Sequence, residues 1–111
     1  MLKTIRTNFD REESRRDRRY PLPPITVSLA GLDYITANWS LGGFLLGYGP
    51  QFLPGETVAG LVRFADGSEQ SFTANAVRSD ADGTGYQFTD PSMDLSGALD
   101  RAASGRMRRR A

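Results

Sequence analysis

"TVAGLVRFADGSEQSFTANAVRS", residues 57–79, decides the fold. "TVAGLVRFA" reads as a strand, with Val58, Val62 and Phe64 on one face of a two-residue period. Asp66-Gly67 is a dipeptide that tight hairpins favour, because glycine takes positive φ at no steric cost. "SEQSFTANAVRS" then reads as the returning strand.

The same grammar runs outward from this hairpin. Upstream, "ITVSL" (25–29) alternates Ile25, Val27 and Leu29 with Thr26 and Ser28, the pattern of a half-buried strand. "AGLD" (30–33) reads as a turn and "YITANWS" (34–40) as a second strand. "GGFLLGYG" (42–49) supplies a third strand around 44–47, and "QFLPGE" (51–56) a Pro-Gly turn. Downstream, "DADGTG" (80–85) reads as a turn and "YQFTD" (86–90) as a sixth strand. Six short strands at close intervals indicate an antiparallel sandwich or barrel, spanning 24–89.

After residue 90 the period changes. Asp90 or Ser92 can cap a helix with Pro91 near its first turn, and Leu95, Ala98, Leu99 and Ala102 recur at helical spacing. Gly105 is a natural stop, so the helix is expected over about 92–104. The expected organisation is a flexible N-terminal arm at 1–14, one domain at 15–104 and a basic tail at 105–111.

Composition narrows the function. The 111 residues, 39% apolar, fit one compact domain with tails. Cysteine and histidine are both absent, which excludes disulfides and thiolate metal sites and removes the commonest general base. With no convincing carboxylate pair either, no enzyme, metal or cofactor is expected. The N-terminus has no apolar signal core and no run of about 18 apolar residues exists, so a soluble cytoplasmic protein is the expectation.

The net charge of +1 conceals a partition. Residues 1–20 carry +3 and residues 101–111 carry +5, whereas residues 21–100 carry −7 and contain only Arg63 and Arg78 as bases. A generic DNA or RNA binder shows a basic face on its fold, so neither nucleic acid is an expected partner. Thirteen of the fourteen basic residues are arginines, whose planar fork suits phosphate or a guanine edge.

Two motifs stand out. "RRDRRYPLPP" (15–24) sets four arginines before three prolines, just ahead of the first strand. Alone, such a charge run reads as a solvated arm. "NWSLGG" (38–43) places Asn38 and Ser40 on one side of an extended segment, followed by Gly42 and Gly43. Alone, it reads as an ordinary strand-to-strand turn. Trp39 points the other way and is expected in the core.

Together they resemble a PilZ domain, over roughly residues 11–90. That family carries an RxxxR motif on its N-terminal segment, matched by Arg15–Arg19 with Arg16 and Arg18 between. Its (D/N)xSxxG motif is matched by Asn38, Ser40 and Gly43. The resemblance implies a six-stranded antiparallel Greek-key β-barrel with a C-terminal helix. It also implies binding of the second messenger cyclic di-GMP by Arg15, Arg16, Arg19, Asn38, Ser40 and Gly43, with Arg18, Gly42 and Arg78 as weaker candidates. The arm would close over ligand held on the barrel and alter the surface offered to a downstream protein partner, in motility, exopolysaccharide or biofilm regulation. The competing reading is a degenerate PilZ-like module that binds protein and no nucleotide.

Overall fold

The computed structural model describes residues 18–50 and 52–105. Its longest pairing is the hairpin read first from the sequence. β5 (Thr57–Arg63) and β6 (Glu69–Asp80) run antiparallel, with Arg63 opposite Glu69 and Thr57 opposite Asn75. The turn between them is closed by local chemistry. Gly67 takes φ +89°, and Asp66 Oδ1 accepts from both the amide (2.9 Å) and the hydroxyl (2.6 Å) of Ser68. Those two bonds, hydroxyl first, hold the Asp66 carboxyl below its ordinary value.

The other strands are β1 (Thr26–Leu29), β2 (Leu32–Ile35), β3 (Asn38–Ser40), β4 (Gly43–Leu46) and β7 (Gly83–Phe88). They form one curled antiparallel sheet in the order β2-β1-β5-β6-β7-β4-β3. Seven strands replace the six expected, because the single strand read at 34–40 is divided. Thr36 still bonds the residue just ahead of β1, its amide (3.0 Å) and hydroxyl (3.1 Å) both donating to the Ile25 carbonyl. Ala37 then donates to Leu45 on β4 (2.9 Å). One chain segment thus hands its hydrogen bonds from one edge of the sheet to the other, and bends to do so. β2 and β3 end the sheet on opposite edges, and these two residues join them.

Two turns are tighter than expected. Ala30 and Gly31 alone make the first, at φ +52° and +84°, so Leu32 and Asp33 belong to β2. Positive φ at both central residues matches the twist of the flanking strands. At the β6–β7 turn only Ala81 and Asp82 lie outside the strands, so Gly83, Thr84 and Gly85 belong to β7.

The inward positions form the core. Ile25, Val27 and Leu29 are buried, as are Val58, Val62 and Phe64. Phe44 stacks on Tyr86 (ring centroids 4.8 Å) and meets Phe72 edge-on (5.5 Å). α1 (Met93–Ala103) buries the expected Leu95, Ala98, Leu99 and Ala102 and packs on β6. Its N-cap is Ser92, whose hydroxyl accepts from the Leu95 amide (3.0 Å). Asp90 sits before the cap at φ +45°. Among the described residues no helix is long and apolar enough to cross a membrane.

Candidate functional site

The site grows from β3, an edge strand that is extended by the end of the arm. Tyr20 and Trp39 exchange backbone hydrogen bonds, 2.6 Å from the Tyr20 amide and 3.0 Å from the Trp39 amide. Their rings lie 5.0 Å apart. Trp39 is fully buried, as expected of a core residue, and its indole Nε1 donates to the Pro23 carbonyl (2.7 Å). Residues 20–23 are therefore fastened to the barrel at several points.

That fastening aims Arg19. Side chains alternate along extended backbone, so Arg19 falls on the side opposite Tyr20. Its Nη1 donates to the Ser40 hydroxyl at 3.1 Å. Ser40 is 1% exposed, and its Oγ also accepts from the Gly42 amide (3.1 Å). The second arginine of the RxxxR motif and the serine of "NWSLGG" are thus in direct contact, 21 residues apart in the chain.

Both residues line a cavity of about 270 Å³, with Gly42, Gly43, Val77, Arg78, Gly85, Tyr86 and Gln87 completing its wall. Arg18 is exposed and outside this lining. Asn38 is outside it too, but its Oδ1 is buried with no hydrogen-bond partner among the described residues. Arg15 and Arg16 lie outside the described residues. Gly43 lines the cavity, yet its missing side chain is required by the sheet itself. A Cβ there would run into the Tyr86 carbonyl oxygen on β7.

Arg78 belongs to the wall, and its placement needs an irregularity. Phe72, Ala74 and Ala76 alternate inward along β6. Continuing that alternation would push Arg78 into the core, where an unpaired charge is costly. A register shift between Ala76 and Arg78 turns Val77 and Arg78 outward instead. Gly85 stands opposite, and a Cβ at that position would lie 3.5 Å from Arg78 Cγ, so the arginine stem rests over a bare stretch of backbone. Arg78 Nη1 bonds Asp80 Oδ2 at 2.7 Å, with both side chains about half exposed at 50% and 49%. The Asp82 amide donates to Asp80 Oδ1 (2.9 Å). That backbone bond first, and then Arg78, holds the Asp80 carboxyl below its ordinary value. Burial raises the Tyr86 phenol.

Val77, Gly85, Tyr86 and Gln87 escape a reading of the sequence alone. Gly85 hides inside "DADGTG", where glycine reads as turn, and a bulge has no single-residue signature. One signal was available, namely an arginine in phase with inward-facing Phe72, Ala74 and Ala76.

No family model and no curated protein matches the sequence. Solved structures do. The chain is similar to the crystal structure of the PilZ domain of CeSA from a cellulose-synthesizing bacterium, with a TM-score of 0.57 and 19% identity, over 79% of this chain and 96% of that one. The fold is PilZ-type. A second PilZ-type neighbour is the Bacillus subtilis inhibitor of motility MotI/DgrA, at TM-score 0.57 and 16% identity, over 78% of this chain and 47% of that one. In this PilZ-type domain the RxxxR-like and (D/N)xSxxG-like stretches converge through Arg19 and Ser40.

Proposed function

We propose that the chain is a binding module for cyclic di-GMP and acts as a receptor rather than an enzyme. The observation that carries this reading is the Arg19–Ser40 hydrogen bond, which joins the two motifs in the lining of one cavity. A guanidinium with its five donors suits phosphate oxygens or the O6/N7 edge of guanine. The Ser40 hydroxyl, which accepts from Arg19 and from the Gly42 amide, keeps its own proton to donate from the barrel side. Asn38 would have to turn its side chain toward the ligand to offer a base N–H its buried Oδ1, which has no hydrogen-bond partner among the described residues. At about 270 Å³ the cavity falls just below the roughly 300–1,000 Å³ usual for small-molecule sites. It therefore holds part of a cyclic dinucleotide, and Arg15 and Arg16 are proposed to grip the remainder. In this reading the arm closes on the ligand and the changed surface is what a protein partner reads.

Titration calorimetry with cyclic di-GMP tests this directly. Saturable heat that disappears in the Arg15→Ala, Arg19→Ala double variant is expected. An absence of heat, or undiminished binding by that variant, contradicts it. A second reading is a module that binds protein and no nucleotide, favoured by the likeness to a protein named as an inhibitor of motility. A partner captured with equal affinity in the presence and absence of cyclic di-GMP, together with no calorimetric heat, supports that second reading.

A further inference from the structure

We propose that Asp80 is an internal competitor for Arg78, and that Arg78 exchanges the Asp80 carboxylate for an anionic oxygen of the ligand when the cavity fills. This rests on the cyclic di-GMP reading and assigns the site a second cationic wall, on β6, with a built-in limit on affinity.

The placement supports it. The shift between Ala76 and Arg78 brings the arginine to the cavity, and Gly85 leaves room for its stem. Asp80, two residues on, shares its side of the strand but stands outside the lining. The contact is single, from Nη1 to Oδ2. A half-exposed single contact contributes little, because water screens it and two long side chains must be ordered to keep it. A phosphate oxygen inside a cavity gives the same guanidinium a charge-assisted, potentially bidentate partner. The exchange therefore runs toward the ligand. It leaves no carboxylate stranded, since Asp80 Oδ1 keeps the Asp82 amide and its side chain remains about half exposed. While the pair persists, Asp80 occupies the arginine and sets a negative charge beside an anionic ligand. Both effects lower affinity.

Arg63 shows what a fully committed arginine looks like. It bonds Glu69 through Nε (2.9 Å) and Asp33 through Nη1 (3.2 Å), and lines no part of the cavity.

The test is calorimetric titration of the full chain with cyclic di-GMP, using wild type, Asp80→Asn, Arg78→Ala and the double variant. Asparagine keeps an Oδ1 acceptor for the Asp82 amide, and thermal melts verify that each variant folds. Asp80→Asn should tighten binding roughly two- to fivefold. Arg78→Ala should weaken it roughly tenfold. The gain from Asp80→Asn should shrink to less than half when Arg78 is absent. Unchanged or weaker binding by Asp80→Asn overturns the proposal. So does an equal gain in both backgrounds, which would mean that Asp80 acts on the ligand by charge alone. If wild type itself gives no heat, the cyclic di-GMP reading fails and takes the exchange with it. If wild type binds and neither single variant differs from it, only the exchange fails.

Discussion

The acidic body of the chain holds two strand arginines, Arg63 on β5 and Arg78 on β6, and they are placed very differently. Arg63 ends a regular strand and lies between two carboxylates, Glu69 on the adjacent β6 and Asp33 on β2, one strand beyond β1. Those contacts, the Glu69 hydrogen bond first, raise its pKa further. Arg78 follows a bulge, lies over glycine, has one carboxylate beside it and faces a cavity. The residue type is the same, and the backbone decides the difference. Regular pairing satisfies a charge across the sheet, whereas a break in pairing turns a charge toward a site.

The largest blow to the comparison comes from beneath the Arg78 region. Phe44 packs on Phe72 and Tyr86, so it supports β6 and β7 together. Phe44→Ala should cost about 3–5 kcal/mol in chemical denaturation. A loss well under 1 kcal/mol would show that the aromatic stack does not hold the sheet.

Next comes the division of labour among arginines. Arg19→Ala should lower cyclic di-GMP affinity by about 10–150-fold, the equivalent of one charge-assisted hydrogen bond of roughly 1.5–3 kcal/mol. Arg63→Ala should leave affinity within about twofold, because a surface pair outside the site contributes little. Equal losses in the two variants would erase the distinction.

A smaller effect sharpens the role of Gly85. A Cβ there meets Arg78 Cγ at an ordinary 3.5 Å, so Gly85→Ala should bind as wild type does. Gly85→Val adds branches toward Arg78 and Val77, and should weaken binding without unfolding the domain. If alanine and valine behave alike, the bare backbone under Arg78 has no part in the site.

The smallest effect is electrostatic. Asp66 and Asp80 both have carboxyls held below 3.8, by the Ser68 and Asp82 bonds respectively. A depressed carboxylate stabilises the fold above the ordinary carboxylate range, and that contribution disappears as pH falls through the folded values. Carboxyl NMR titration should give midpoints below 3.8 for both. Midpoints at or above it would contradict the two turn structures.

Much of this is legible in the residues. Alternation gave the inward faces of β1 and β5 and helical spacing gave the buried face of α1, because both periods follow directly from backbone geometry. The cap at Ser92 and the stop at Gly105 follow from local hydrogen bonding. What stayed hidden depends on partners distant in sequence. The division at Thr36–Ala37 exists because Ile25 and Leu45 lie on opposite sides of it. The role of Gly43 depends on Tyr86, and the cavity wall depends on a shift in pairing between β6 and β7. The motifs indicated Arg19 and Ser40, but only the fold shows the Tyr20–Trp39 bridge that brings them together.

The most direct test is an amide and side-chain NMR titration of the full chain with cyclic di-GMP. The account predicts saturable shifts at Arg19, Ser40, Gly42, Arg78 and Gln87, with Arg63, Asp33 and Glu69 unmoved. Shifts absent altogether, or spread evenly over both arginine regions, would contradict it.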